Sequence, residues 1–395
     1  MRRRCQINRQ RKRPRRLGRA LRALTVNLSL LLGAMALALG LSEVVVRIAA
    51  PQQLIVNRPD IWTPVETLGW MHRANVDTTI NTGERTVRVL TDEDGFRVGR
   101  QGRIHAMRRV LVLGDSFMEA FQVEYEESVP GLLQRKMQER FDEPVAIRNA
   151  AVGAWDPNQY LLQLERSLGQ EAYEVVLVMI FLGNDVVDYR TASYPLRAPA
   201  QVHPFRFPRT LTAQELIDSV LYPVNDMLEV RSHLFILLKK QARALLVRLG
   251  LTGEYFPPYF RASETESERW DVTADILAQI ETLAEGHGSS VEFVLLPAHF
   301  QVDKTTFYEF ADAFYGGDAD TVDPRRPNHL LAAALREREI DFLDTLPLLE
   351  TAHENGRKLY GDVDSHFTAA GHEVVAEAVA PILTARLRER ISEAP

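Results

Sequence analysis

Three residues far apart in the chain, Ser116, Asn184 and His366, have side chains that together could carry nucleophilic acyl chemistry. Segment 110–117, Val-Leu-Val-Leu-Gly-Asp-Ser-Phe, begins as a short branched apolar run, the mark of a buried strand. Gly114 ends that run and permits a sharp turn. Asp115 and Ser116 are then presented at a strand's carboxyl end, where open α/β sheets bind ligands. A serine there becomes a nucleophile if a base reaches it. A second apolar run, 174–182, ends in Gly183-Asn184-Asp185, and an amide donor at Asn184 could stabilise a developing oxyanion. His366 lies in the loop entering the last amphipathic helix, where an imidazole could take the serine proton and a nearby carboxylate could fix its tautomer. Taken singly these are a turn or helix cap, an Asx turn and a surface histidine; taken together, in this order, they suggest one site.

The ordered set resembles the SGNH or GDSL hydrolases. Ser116 matches the nucleophile of the first block, Asn184 the Gly-Asn-Asp block, and His366 the last block. The second block implies a backbone oxyanion donor within 149–156, Asn-Ala-Ala-Val-Gly-Ala-Trp-Asp, at Gly153 or at Ala154; the Ser116 N–H and the Asn184 amide would complete the hole. The family pattern places its acid three residues before the histidine, but Val363 stands there. Asp364 resembles the Asp-x-His variant of membrane-anchored bacterial members, and Asp362 is its competitor. The resemblance covers roughly residues 105–385. It implies a flavodoxin-like three-layer α/β/α fold with a central parallel sheet. It also implies a serine esterase acting through an acyl-enzyme, with an acyl ester, such as an acylated carbohydrate, as substrate and partner. Polysaccharide O-acyl transfer by the same triad is the first alternative, and a non-catalytic glycan-binding or assembly protein the second. The Gly-x-Ser-x-Gly elbow of the larger α/β-hydrolases is absent.

The elements that must hold these loops alternate. Strands are expected at 109–113, 145–149, 175–181, 291–296 and 340–343, and helices at 129–141, 157–168, 268–285, 328–339 and 368–391. Such alternation implies a parallel sheet covered on both faces. Residues 47–104 read as a linker and a short β-rich preface to a domain spanning 105–395. A helical insertion interrupts that domain at about 190–265. Its segment 232–249 suits either a membrane surface or a cap helix, and Tyr255, Phe256, Tyr259 and Phe260 could line an opening or close a small core. His299, just after the fourth strand, is a possible substrate contact, while His372 reads as structural.

Charge and hydropathy set the compartment. Residues 1–22 carry eleven Lys and Arg and no acid; the rest carries 36 basic against 53 acidic residues, a balance of −17. An acidic body argues against nucleic acid as a partner. Residues 23–41 contain no charge, and about 19 residues at ~1.5 Å each cross the hydrocarbon core. Residues 23–46 are therefore expected to be a transmembrane signal anchor, with the basic tail cytoplasmic and the body periplasmic, on a bacterial inner membrane. A cleaved signal peptide is the alternative. The only cysteine, Cys5, lies in the tail, so the body holds no internal disulfide. Asp92-Glu-Asp-Gly95 reads as a turn and Asp318, Asp320 and Asp323 as a solvated acidic loop. No P-loop, dinucleotide fingerprint or zinc spacing is present, so no metal or cofactor is expected.

Overall fold

Alternate residues of the strand carrying the serine face opposite ways, and both sets are buried. Leu111 and Leu113 enter one apolar cluster, Val110 and Val112 the other. The strand Val175–Phe181 does the same, with Val176, Val178 and Ile180 on one side and Val175, Leu177 and Met179 on the other. This is the period-two signature of a strand covered on both faces. The computed structural model describes residues 14–52, 54, 58, 60–186, 222–249, 258–261, 268–315 and 319–393.

The strands described are β1 (Trp62–Val65), β2 (Gly69–His72), β3 (Asp77–Asn81), β4 (Thr86–Thr91), β5 (Arg97–Val98), β6 (Arg108–Leu113), β7 (Val145–Asn149), β8 (Val175–Phe181), β9 (Ser290–Leu296) and β10 (Phe342–Asp344). β1 and β2 form a hairpin; the other eight make one sheet in the order β10-β9-β8-β6-β7-β5-β4-β3. From β10 to β7 every pairing is parallel, in the 2-1-3-4-5 order of a flavodoxin-like sheet. The helices Pro157–Leu168 and Glu268–Gly286 pack on one face, Val129–Arg140 and Ala369–Glu393 on the other. The expected α/β/α layering is therefore observed. The carboxyl ends of β6, β7, β8 and β9 lie along one edge of the sheet, and the loops after them carry Ser116, Gly153, Asn184 and His299.

The segment expected as a preface is part of this sheet. β5 pairs antiparallel with β7 through Arg97 and Asn149, and β4 and β3 follow outward. A boundary at residue 104 thus cuts through one sheet. The physical reason is that β7 would otherwise end the parallel sheet with an open row of N–H and C=O groups, and the meander covers it. The Asp92-Glu-Asp-Gly95 segment is a turn, as expected: the Asp92 carboxylate accepts from the Asp94 and Phe96 N–H groups at 3.0 and 2.9 Å. Its acids face Arg148 and Arg103, so their charge is matched by guanidinium groups. Among the described residues no cluster of His, Cys, Asp and Glu could hold a metal.

Of the insertion, two helices are described, Tyr222–Glu229 and His233–Arg248. In the second, Ile236 is buried while Leu238 and Leu245 are exposed. Residues 190–207, Tyr255, Phe256 and Asp318 lie outside the described residues. Tyr259 and Phe260 close the core rather than an opening: both are buried, Tyr259 against Trp270 and Phe260 against Phe300, and the Tyr259 hydroxyl donates to Leu182 O at 3.1 Å.

Residues 1–51 form a separate unit. Its helix runs over Pro14–Ala49, and the stretch Arg22–Ala49 is long and apolar enough to cross a membrane, at about 42 Å for 28 residues. Its leucines from Leu24 to Leu41 are exposed.

Candidate active site

Gly114 is where β6 must turn. A Cβ there would sit 2.9 Å from the Met118 side chain and 3.3 Å from Met179 O, closer than packing accepts. The chain then enters a single helical turn, Ser116–Glu119, capped by Asp115, whose carboxylate accepts from the Phe117 N–H at 2.9 Å. The cap leaves Ser116 as the first helical residue, half-buried, with its hydroxyl 3.2 Å from Asp115 Oδ2.

His366 arrives from the other end of the sequence. Its Nε2 lies 2.7 Å from Ser116 Oγ, and its Nδ1 meets the Asp364 carboxylate in a short contact. A carboxylate can only accept, so Nδ1 carries the proton and Nε2 presents its lone pair to the serine hydroxyl. The same Asp364 oxygen accepts from the His366 backbone N–H at 3.2 Å, closing a tight Asp-x-His loop. Gln122 Nε2 donates to the other Asp364 oxygen at 2.8 Å. Asp362 is exposed and pairs with Lys358 Nζ at 2.6 Å, so between the two candidate acids it is Asp364 that touches the imidazole. Phe117 packs on the His366 ring with centroids 4.7 Å apart, walling one side of the site together with Phe181 and Phe367.

Electrostatics follow from this packing. Burial disfavours the imidazolium of His366, but the charge and hydrogen bond of Asp364 outweigh it, and the imidazole is held above its ordinary value. Burial likewise disfavours the Asp364 carboxylate, and His366 and Gln122 overcome it, holding the carboxyl below its ordinary value. Asp115 is pushed up to about 6 by burial. His372 is buried and pushed down to about 3 by that burial; it accepts from the Val129 N–H at 3.4 Å, a structural role as expected.

Across the site the turn after β7 is tied to the serine loop, Val152 N donating to Gly114 O at 3.2 Å. Among the described residues no protein acceptor takes the N–H groups of Ser116, Gly153 or Ala154. Ala154 sits in the left-handed region at φ +62°. The Asn184 side chain is exposed at the end of β8 and has no hydrogen-bond partner among the described residues. His299 stacks on Tyr360, with centroids 4.6 Å apart, and burial lowers its basicity. Among the described residues its polar partners are Thr306 and Asp303, not Ser116, His366 or Asp364.

Several residues at this site carry no sequence signal. Gln122 follows the serine helix without a motif. Arg97, fully buried in β5, donates to the carbonyls of Glu119 and Ala120, which end the serine helix, and to that of Val123 in the loop beyond. Glu119 is absent from the candidates read from the sequence, although its place three residues after Ser116, on the same side of the helical turn, is a signal that could have found it. A buried acid so placed has to find a partner.

Residues 258–395 match a family model described as the SGNH hydrolase-like domain, acetyltransferase AlgX. No match was found among the curated proteins. Similar solved structures include a lipolytic protein of the G-D-S-L family from Veillonella parvula, 13% identical, covering 70% of this chain and 98% of that one at a TM-score of 0.36. An acetyl xylan esterase is 13% identical over 68% of this chain and 96% of its own, at a TM-score of 0.37. A lipase/acylhydrolase from Enterococcus faecalis is 11% identical over 71% and 96%, at a TM-score of 0.37.

Proposed function

We propose that the chain is a serine esterase of the SGNH/GDSL type, in which Ser116, His366 and Asp364 form the catalytic triad, and that it cleaves acyl esters of carbohydrate outside the cytoplasm; the SGNH hydrolase-like family model matched over residues 258–395 supports this reading. The observation that carries this reading is the continuous hydrogen-bonded chain from Ser116 Oγ through His366 to Asp364. As the serine oxygen attacks the ester carbonyl, its proton passes to His366 Nε2. Asp364 holds the imidazole in the productive tautomer and stabilises the imidazolium. The negative charge on the former carbonyl oxygen is taken by the N–H groups of Ser116 and of Gly153 or Ala154, with the Asn184 amide as the third donor. Collapse expels the alcohol, which takes the proton back from His366 and leaves an acyl-serine. Water, activated by the same imidazole, then releases the carboxylic acid.

A sugar hydroxyl in place of that water would make the enzyme an O-acyltransferase, a reading favoured by the acetyltransferase description of the family matched over 258–395. An acetyl-labelled p-nitrophenyl ester, supplied with and without an acceptor oligosaccharide, separates the two. Hydrolysis is expected to send the label to free acetate whether or not acceptor is present. Label on the sugar, with nitrophenol release rising with acceptor, would establish transfer instead. A fluorophosphonate that fails to label Ser116 would leave a non-catalytic glycan-binding role.

The N-terminal helix and the Arg-rich residues before it support an N-in, body-out orientation. An alkaline phosphatase reporter fused after residue 60 is expected to be active in a bacterial host, since that enzyme needs an oxidising compartment for its disulfides. The body is expected to stay with membranes through a carbonate wash. An inactive reporter would exclude a periplasmic substrate. An active reporter with a shortened, soluble body would mean that the segment is a cleaved signal peptide.

A further inference from the structure

The backbone turn at Gly153 and Ala154 is gripped from strand β2. Trp70 Nε1 donates to Gly153 O at 3.0 Å, and Trp155 Nε1, just past the turn, donates back to Trp70 O at 3.0 Å. In a trans peptide the carbonyl and the following N–H point in opposite directions. Holding the Gly153 carbonyl toward Trp70 therefore turns the Ala154 N–H away from Trp70, and that N–H has no protein acceptor among the described residues. Ala154 keeps a left-handed backbone at φ +62°, a conformation that a residue with a side chain retains only where its surroundings impose it.

A second contact sets how close the turn lies to the nucleophile. Glu119, in the helical turn begun by Ser116, is buried against Gly153, where a Cβ would sit 2.7 Å from its Oε2. Its Oε1 is shared by His72 Nε2 at 2.6 Å and Trp62 Nε1 at 3.1 Å. His72 Nδ1 lies 3.2 Å from Gly95 O, so the imidazole bridges the Gly95 carbonyl and the Glu119 carboxyl.

We propose that Trp70, together with the His72–Glu119 pair, positions the backbone donors of the Gly153–Ala154 turn, which makes strand β2 part of the oxyanion-binding apparatus. The inference rests on the reading of Ser116 as nucleophile. Trp70 is half-buried rather than a core residue, and its indole N–H spends its only bond on this carbonyl.

The test compares wild type, Ser116→Ala, Trp70→Phe and Gly153→Ala in the full chain in detergent. It reads kcat and KM for p-nitrophenyl acetate, inhibition by phenylboronic acid, and the melting midpoint. Boronic acids form a tetrahedral adduct with an active serine, so their affinity reports the oxyanion hole. Trp70→Phe keeps the ring and loses the N–H. It is expected to lower kcat about 10- to 100-fold, less than the roughly 10²- to 10³-fold of deleting a donor outright. KM should stay within about 2-fold, and the boronate inhibition constant should rise by the factor that kcat/KM falls. The melting midpoint should move by no more than about 3 °C. Gly153→Ala should show the same parallel loss through the Glu119 contact. Ser116-dependent turnover with unchanged kcat and boronate affinity in both variants overturns the positioning role alone. Losses that merely track a lowered melting midpoint, with boronate affinity intact in the folded fraction, overturn it too. Full turnover in Ser116→Ala overturns the nucleophile reading and this inference with it.

Discussion

Ser116→Ala and His366→Ala are each expected to lower acyl-ester turnover by about 10⁴ to 10⁶, and the double variant by little more. The non-additivity is the informative part. Ser116 Oγ and His366 Nε2 are 2.7 Å apart, and neither group has a use in the acylation step without the other. Without the imidazole the one acceptor left to the hydroxyl among the described residues is Asp115, 3.2 Å away and capping its own helix. Without the serine the imidazole can at most activate water, with no acyl-enzyme to resolve. What remains in every variant should be the contribution of the oxyanion donors and of binding. The measurement is kcat on a short-chain p-nitrophenyl ester for both single variants and the double. A folded Ser116→Ala protein with undiminished turnover would remove the mechanism. Two large losses that multiply would mean that the residues act in separate steps.

The part of this site that was legible in the sequence is the part built from strand ends. Val110 to Leu113 and Val175 to Phe181 are apolar on both faces, so they had to be interior strands, and the polar residues just beyond them had to surface at the sheet's carboxyl edge. That reasoning brought Ser116 to the carboxyl edge of the sheet and placed the helices behind it within a few residues. The helix expected at 328–339 lies two residues earlier, at Arg326–Glu337, and the last begins one residue later than expected, at Ala369. What could not be read is whatever depends on pairings between distant segments. Gln122 reaches Asp364 across 242 positions, and Arg97 and His72 reach the serine helix from strands whose pattern only signals a β-meander. A short strand such as β5, two residues long, has no periodicity to detect. Its place is decided by the open edge of β7, a property of the assembled sheet. The choice between Gly153 and Ala154 was likewise open in the sequence. The fold adds two facts to it: a side chain at 153 would strike Glu119, and the left-handed residue of the turn is Ala154.

Asp364→Asn is expected to lower kcat by about 10⁴, the size of the corresponding change in the worked serine-protease example, while Asp362→Asn should leave kcat within about 2-fold. Asp362 is exposed and holds only Lys358, whereas Asp364 is buried and touches His366. An asparagine at 364 can present its amide N–H to Nδ1, which moves the imidazole proton to Nε2 and points a donor where the serine needs an acceptor. The pH profile supplies a second readout of opposite direction. In the wild type His366 is held above the ordinary imidazole value of 6.5, the support of Asp364 outweighing burial. The base works only unprotonated, so kcat/KM should rise with pH through an apparent value above 6.5 and be lost below it. Removing the carboxylate leaves burial, which favours the neutral ring, so the limb in Asp364→Asn should move to lower pH even as the plateau collapses. A mutation that merely loosened the loop would lower the plateau without moving the limb in that direction. If Asp362→Asn proved the more damaging of the two, the acid's role would pass to Asp362 and the tight Asp-x-His loop would have to open during catalysis.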